Sequence, residues 1–226
     1  MKSYGQFCGV ARALEMVGER WALLIVRDLL VGPKRYTDLK TGLPRIPTNV
    51  LATRLKELEA AGVVVRRVLP RPAGSVVYEL TEFGQELEGI VLALGRWGAQ
   101  RLGAFGEGEI ATADSLIMAL RSTFDPDAVA GRSATYELRF GDVVISAQIE
   151  NGELATDAGS TGKADLVIEA FGPLTPLLAG EITAAEVVAQ GNVQLSAMDD
   201  RSAAKKLAGL EDFAAIFPIR PLPAAS

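Results

Sequence analysis

The chain has 226 residues, 49% of them hydrophobic, which is long enough for two ordinary domains and too apolar for global disorder. It has no histidine and a single cysteine, Cys8, which excludes a Cys/His zinc site, a Ser-His-Asp triad and an internal disulfide framework and speaks against an enzyme. The formal charge of -5 hides an asymmetry: residues 1–103 hold 15 Lys+Arg against 10 Asp+Glu, a net of +5, and residues 104–226 hold 8 against 18, a net of -10.

A basic half suits a polyanionic partner and an acidic half repels one. The seam lies in the glycine-rich "LGAFGEGEIATAD". Two domains are therefore expected, 1–103 and 113–226, joined by a linker at 104–112. The first stretch, "MKSYGQFCGV", lacks the apolar run of a signal peptide. The most apolar segment, Trp21 to Val31, is interrupted by Arg27 and Asp28 and falls short of the roughly 20 residues that span a bilayer. No membrane association is expected, and a cytoplasmic location is.

In chain order, Val10, Leu14 and Val17 have helical spacing. "RWALLIVRDLLVG" is apolar nearly all round and predicts a central buried helix ended by Gly32-Pro33. Tyr36 reads as a short strand, followed by a brief helix over 38–41 capped by Thr37. "RIPTNVLATRLKELEAAG" predicts a helix that starts at a proline, buries Val50, Leu51, Leu55 and Leu58, and ends at Gly62. "VVVRRVLP" and "SVVYELT" form a hairpin across "RPAG". A helix over 82–101 closes the half. Helices, a helix-turn-helix and a hairpin make a winged helix-turn-helix, whose second helix enters the DNA major groove while the wing follows the phosphates.

The exposed face of that second helix carries Thr48, Asn49, Ala52, Thr53 and Lys56, small or hydrogen-bonding side chains suited to base edges. Lys34, Arg35, Arg45, Arg54 and Arg71 suit phosphate neutralisation, with Ser75 at the wing. The expected partner is double-stranded DNA.

The stretch "CGVARALEMVGERWALLIVRDLLVGPKRYTDLKTGLPRIPTNVLATRLKELEAAGVVVRRV…YELTEFGQEL" resembles the HxlR-type transcription regulators, relatives of the MarR group, over about residues 8–101. The resemblance implies a homodimer on a palindromic operator, its first and last helices pairing through Val10, Leu14, Leu87, Val91, Leu94 and Trp97. It departs from the family at Pro47, where a capping Ser is usual. Cys8 stands where the family often has a cysteine that in some members senses oxidants or electrophiles; an inert structural cysteine is the alternative.

In the acidic half, a helix over 115–122 precedes "ATYELRFGDVVISAQIENGELATDAG", which alternates and turns. Tyr136, Leu138 and Phe140 share one strand face, and Val143, Ile145, Ala147 and Ile149 the next. "ADLVIEA", "TAAEVVAQG", "NVQLSA" and two final helices, "DRSAAKKLAG" and "LEDFAAIF", complete an α+β domain, an antiparallel sheet with helices on one face. The order resembles the sterol-carrier-protein fold over roughly 110–220. That implies an apolar tunnel, with Leu174, Leu177, Leu178, Val188, Leu207, Phe213 and Phe217 as lining residues and a fatty acyl or similar apolar effector as ligand. No catalytic constellation stands out, and neither a cofactor nor a metal is expected. Two alternatives stay open: a redox-responsive regulator with a purely structural second domain, and a lipid carrier.

Overall fold

The structure, a computed structural model, describes residues 3–70, 74–103, 106, 108–129, 131–197 and 202–220. By packing, the chain divides into two compact units, Met1–Val91 and Leu92–Ser226. The division falls inside a helix, upstream of the 104–112 stretch.

The first unit opens with α1 (Gly9–Val17), α2 (Ala22–Val31), α3 (Tyr36–Gly42) and α4 (Thr48–Ala60). α2 is the central helix, burying Ala22, Ile25, Val26, Leu29 and Leu30. The hairpin β1 (Val64–Val68) and β2 (Val76–Leu80) follows, in antiparallel register with Val64 opposite Leu80. α2 and α3 pack on β2, and α4 on β1. Tyr36 is not a strand residue: it is the first residue of α3, and an isolated β-bridge joins Lys34 to Tyr78. The cap is Arg35, whose backbone N–H donates to Asp38 at 2.9 Å, so the helix starts earlier than Thr37 would place it.

The long helix expected over 82–101 is two pieces, α5 (Glu82–Gln85) and α6 (Glu88–Ala99). The break falls at Glu86 and Leu87, where the Leu87 N–H bonds back to the Gly84 carbonyl at 3.2 Å; Gly84 itself, inside α5, is buried against the start of the hairpin, where a Cβ would meet the carbonyl oxygen of Val63 at 2.1 Å.

The second unit contains α7 (Ala113–Thr123), α8 (Pro126–Val129), β3 (Ala134–Phe140), β4 (Val143–Glu150), β5 (Glu153–Ala158), β6 (Leu166–Ala170), α9 (Thr175–Leu178), α10 (Ala184–Ala189), β7 (Val193–Ser196) and α11 (Ala203–Ile216). The sheet order is β5-β4-β3-β6-β7. The β4–β5 turn has Asn151 and Gly152 both at positive φ, 54° and 82°, the two-residue hairpin geometry that matches strand twist. As the alternation predicts, Tyr136 and Leu138 face the core opposite Ala147 and Ile145.

Two expectations are corrected here. The sheet is mixed, because β3 and β6 pair in parallel. After β5 the chain crosses the sheet from Gly159, bonded to Val144, to Asp165, bonded to Thr135, and so enters β6 in the direction of β3. The two final helices are one, α11, since nothing in "KKLAGLEDF" breaks the ladder, and Gly209 lies inside it, where a Cβ would come within 3.2 Å of the Leu166 side chain. α7 and α11 both lie on the core face of the sheet. Arg121 reaches Thr156 at 2.9 Å, and Phe213 packs edge-on against Tyr136 with ring centroids 5.2 Å apart.

Candidate nucleic-acid interface

α4 is set by contacts at both ends. Its start at Pro47 has no side-chain cap, because a proline ring accepts no hydrogen bond. Other contacts hold that end. The turn before it buries Leu43 and Ile46, Ile46 N–H donates to Leu43 at 3.0 Å, and Lys40 Nζ donates to the Pro44 carbonyl at 3.2 Å. The Tyr36 hydroxyl donates to the Thr48 carbonyl at 2.8 Å. At the far end Gly62 takes φ 74°, with Gly62 N–H bonded to Glu59 and Val63 N–H to Leu58, the paired bonds of a Schellman cap.

Leu51, Leu55 and Leu58 are buried and Val50 is half-buried, which leaves Thr48, Asn49, Thr53 and Lys56 exposed along one stripe with Ala52 half-exposed between them. The Asn49 amide makes no hydrogen bond among the described residues. Thr53 Oγ1 donates to the Asn49 carbonyl at 2.8 Å, so its remaining resources are oxygen lone pairs and a methyl. This surface carries donors, acceptors and a methyl group, the chemistry that distinguishes base edges.

The basic residues divide. Arg35 and Arg45 are exposed on either side of α3. Lys34 is half-buried, and its backbone exchanges bonds with Tyr78 at 3.0 and 2.8 Å, tying the start of α3 to the wing strand. Ser75 is half-buried and accepts from Leu69 N–H at 2.8 Å across the wing loop. Arg71 lies outside the described residues. Arg54 is occupied within the fold: it donates to the Arg20 carbonyl at 3.2 Å and pairs with Glu19 at 3.1 Å and with Glu57. It braces α4 against the α1–α2 turn instead of offering a free cation.

Sequence reasoning passed over two residues. Tyr36 buttresses α4; its signal was an aromatic hydroxyl one turn-and-loop ahead of the helix. Arg66 stands exposed on β1, while its neighbour Arg67 pairs with Glu79 at 2.8 Å. An "RR" pair in an alternating strand places one arginine on each face.

α1 exposes Val10 (69%) and Leu14, and α6 exposes Ile90, Leu94 and Trp97 (68%), with Leu87 and Val91 half-buried. Large apolar side chains left in water along a helix mark an interaction surface. Cys8 is exposed and occupies the N-cap position of α1. The amides of Ala11 and then Val10 hold its thiol below the usual range by favouring the thiolate, although the sulfur makes no regular cap hydrogen bond.

The apolar lining expected in the second unit is packed core. Phe213 and Phe217 are fully buried, their ring centroids 4.8 Å apart, and Phe217 also meets Phe124 at 5.9 Å. Leu174 and Leu177 are buried, and Leu178, Val188 and Leu207 half-buried. None of the seven lines the cleft between α8 and α11 or the one beside Phe140 and Phe171. The helix places both phenylalanines one turn apart, as expected, but Phe124 and Tyr136 fill the space between them and the sheet. Among the described residues no helix is long and apolar enough to cross a membrane, and no acidic or cysteine cluster has metal-ligand geometry.

Residues 16–104 match the model of the HxlR-like helix-turn-helix family. The HTH-type transcriptional regulator YtcD of Bacillus subtilis (strain 168) is 41% identical over 93 residues, covering 41% of this chain and 74% of that protein. The HTH-type transcriptional regulator YodB of the same organism is 40% identical over 88 residues, covering 39% and 79%. The structure of the redox regulator HypR in its oxidized form is 35% identical, with a TM-score of 0.40, covering 42% of this chain and 99% of that one.

Proposed function

The chain belongs to the HxlR-like helix-turn-helix family, and from that premise we propose that it regulates transcription as a homodimer on a palindromic operator, with α4 reading the major groove and the β1–β2 wing following the backbone. It is a DNA-binding transcription regulator of the HxlR type, and the relatives it matches are named as transcriptional regulators, not enzymes. The observation that carries the finer reading is the stripe Thr48, Asn49, Thr53 and Lys56, exposed on a helix anchored at both ends beside the exposed Arg35, Arg45 and Arg66. Lys34, Ser75 and Arg71 belong to the same proposed contact surface. The exposed apolar faces of α1 and of α6 support burial against a second copy.

In the second unit, the α+β order supports a likeness to the sterol-carrier fold. The filled Phe213–Phe217 layer speaks against an acyl tunnel along those residues. Titrating the full chain onto genomic fragments at several salt concentrations tests the DNA reading. A specific fragment should be bound with a steep inverse salt dependence. Equal affinity for all fragments, or none, overturns it.

One observation favours a second layer of control. Cys8 is exposed, and the start of α1 favours its thiolate. Oxidation or alkylation there, beside the exposed Val10, would disturb the α1 surface and so the dimer. Diamide treatment should then change operator affinity in the wild type and not in Cys8→Ser.

A further inference from the structure

Trp21 caps the start of α2 at φ 79°, one of two non-glycine residues at positive φ among the described residues. A bulky side chain rarely adopts this conformation, and it persists where surrounding contacts impose it. Rotation about that φ turns the Arg20–Trp21 peptide. In the observed position the Arg20 carbonyl accepts Arg54 Nε–H from α4 at 3.2 Å. Two contacts hold the turn. Ala22 N–H donates to the Glu19 carbonyl at 3.0 Å, and the Arg20 guanidinium lies over the Trp21 ring, 5.3 Å from its centroid.

The rest of the Arg54 fork goes to carboxylates, one terminal nitrogen to Glu19 at 3.1 Å and the other to Glu57. The side chain is only 16% exposed. A planar guanidinium can serve three fixed acceptors at once, and a lysine ammonium cannot reproduce that fork. Arg54 stands on the flank of α4, about 140° around the helix from Asn49 at about 100° per residue. A directional tie on the flank resists roll of the helix about its axis. The apolar stripe of Leu51, Leu55 and Leu58 resists roll less, since apolar burial is non-directional. A roll of about 10° moves a group about 6 Å from the axis by about 1 Å, enough to take a hydrogen bond out of range.

We propose that Trp21 and Arg54 are positioning residues that set operator specificity without touching DNA: the strained turn presents the Arg20 carbonyl, and Arg54 uses it to fix the roll of α4. This rests on the reading of α4 as the recognition helix. It divides labour with Tyr36, which holds the first residue of the same helix.

The test uses the full chain, the tightest-binding genomic fragment from the wild-type titration and a shuffled duplex of the same composition. Arg54→Lys keeps the charge and loses the fork. It should lower the affinity ratio between the two duplexes about tenfold, within the discrimination carried by one base contact. Affinity for the shuffled duplex and the salt slope should stay as in the wild type, because no phosphate contact is lost. A merely structural arginine would lower the melting temperature and leave the ratio alone. Trp21→Gly and Trp21→Ala lose the same ring, but only glycine holds this φ without strain. The ratio should be about threefold higher for the glycine variant than for the alanine variant. In the wild type, whatever the stability of the variants, Arg54 Nε–H should exchange with water about tenfold more slowly than that of the exposed Arg66. A wild-type ratio near one overturns the operator reading and this one together. A high wild-type ratio kept by Arg54→Lys, equal ratios for the two Trp21 variants, or fast exchange at Arg54 Nε–H overturns this one alone.

Discussion

The Tyr36 hydroxyl donates to the Thr48 carbonyl across 2.8 Å, joining the first residue of α3 to the first residue of α4. A helix begun by Pro47 lacks a side-chain cap, so the angle at which it leaves the turn must be set from elsewhere. Tyr36 supplies that constraint. Tyr36→Phe should cost about 0.5–1.5 kcal/mol of stability, the usual worth of a partly exposed hydrogen bond. It should also weaken operator binding although Tyr36 itself need not touch DNA. Urea unfolding and an operator titration check the two effects; unchanged affinity would show that the turn fixes α4 without it.

Asn49→Ala should weaken operator binding by about 1–3 kcal/mol and relax discrimination at one base position. Arg66→Ala should behave differently, lowering affinity on all sequences alike and reducing the salt slope by about 1. Competition between operator and random DNA at three salt concentrations separates the two roles. Equal loss from Asn49→Ala on random DNA would assign that residue to the backbone.

Leu94→Glu places a charge on the exposed apolar face of α6, where Trp97 is also exposed. A buried unpaired carboxylate opposes association, so the variant should sediment as a monomer and lose binding to a two-half-site operator. A sedimentation profile matching the wild type would remove α6 from the dimer surface.

Phe217→Ala tests whether the second unit is filled. With Phe217 fully buried against Phe213 and Phe124, truncation should cost about 3–5 kcal/mol through lost burial and the cavity left behind. A cost under about 1 kcal/mol, measured by denaturant unfolding, would show that space already existed there.

The Cys8 thiol should react with iodoacetamide at lower pH in the folded chain than in urea, since the amides of Ala11 and Val10 favour its thiolate. The linkage has the same sign. With the folded pKa depressed, the contribution to stability is present above the unfolded pKa and is lost as pH falls through the folded one. Coincident alkylation profiles would mean that the N-terminus of α1 does not act on the sulfur.

Much of the DNA-facing half was legible because its determinants are local. Pro47, the Leu51-Leu55-Leu58 spacing and Gly62 fix the start, buried stripe and end of α4 within one helix, and propensity and periodicity act over that range. The same holds for the Asn151-Gly152 turn. What the sequence could not decide depends on who meets whom across distance. Arg54 reads as a phosphate contact until Arg20 and Glu19, more than thirty positions away, are seen to hold it. β6 reads as one more antiparallel strand until the 159–165 crossing sets it parallel to β3. Phe213 and Phe217 share a face by helical geometry alone, but whether that face borders a tunnel or a filled core depends on Phe124 and Tyr136 arriving from other elements. Close packing is a property of all the surfaces that converge on a space, and a periodic pattern specifies only one of them.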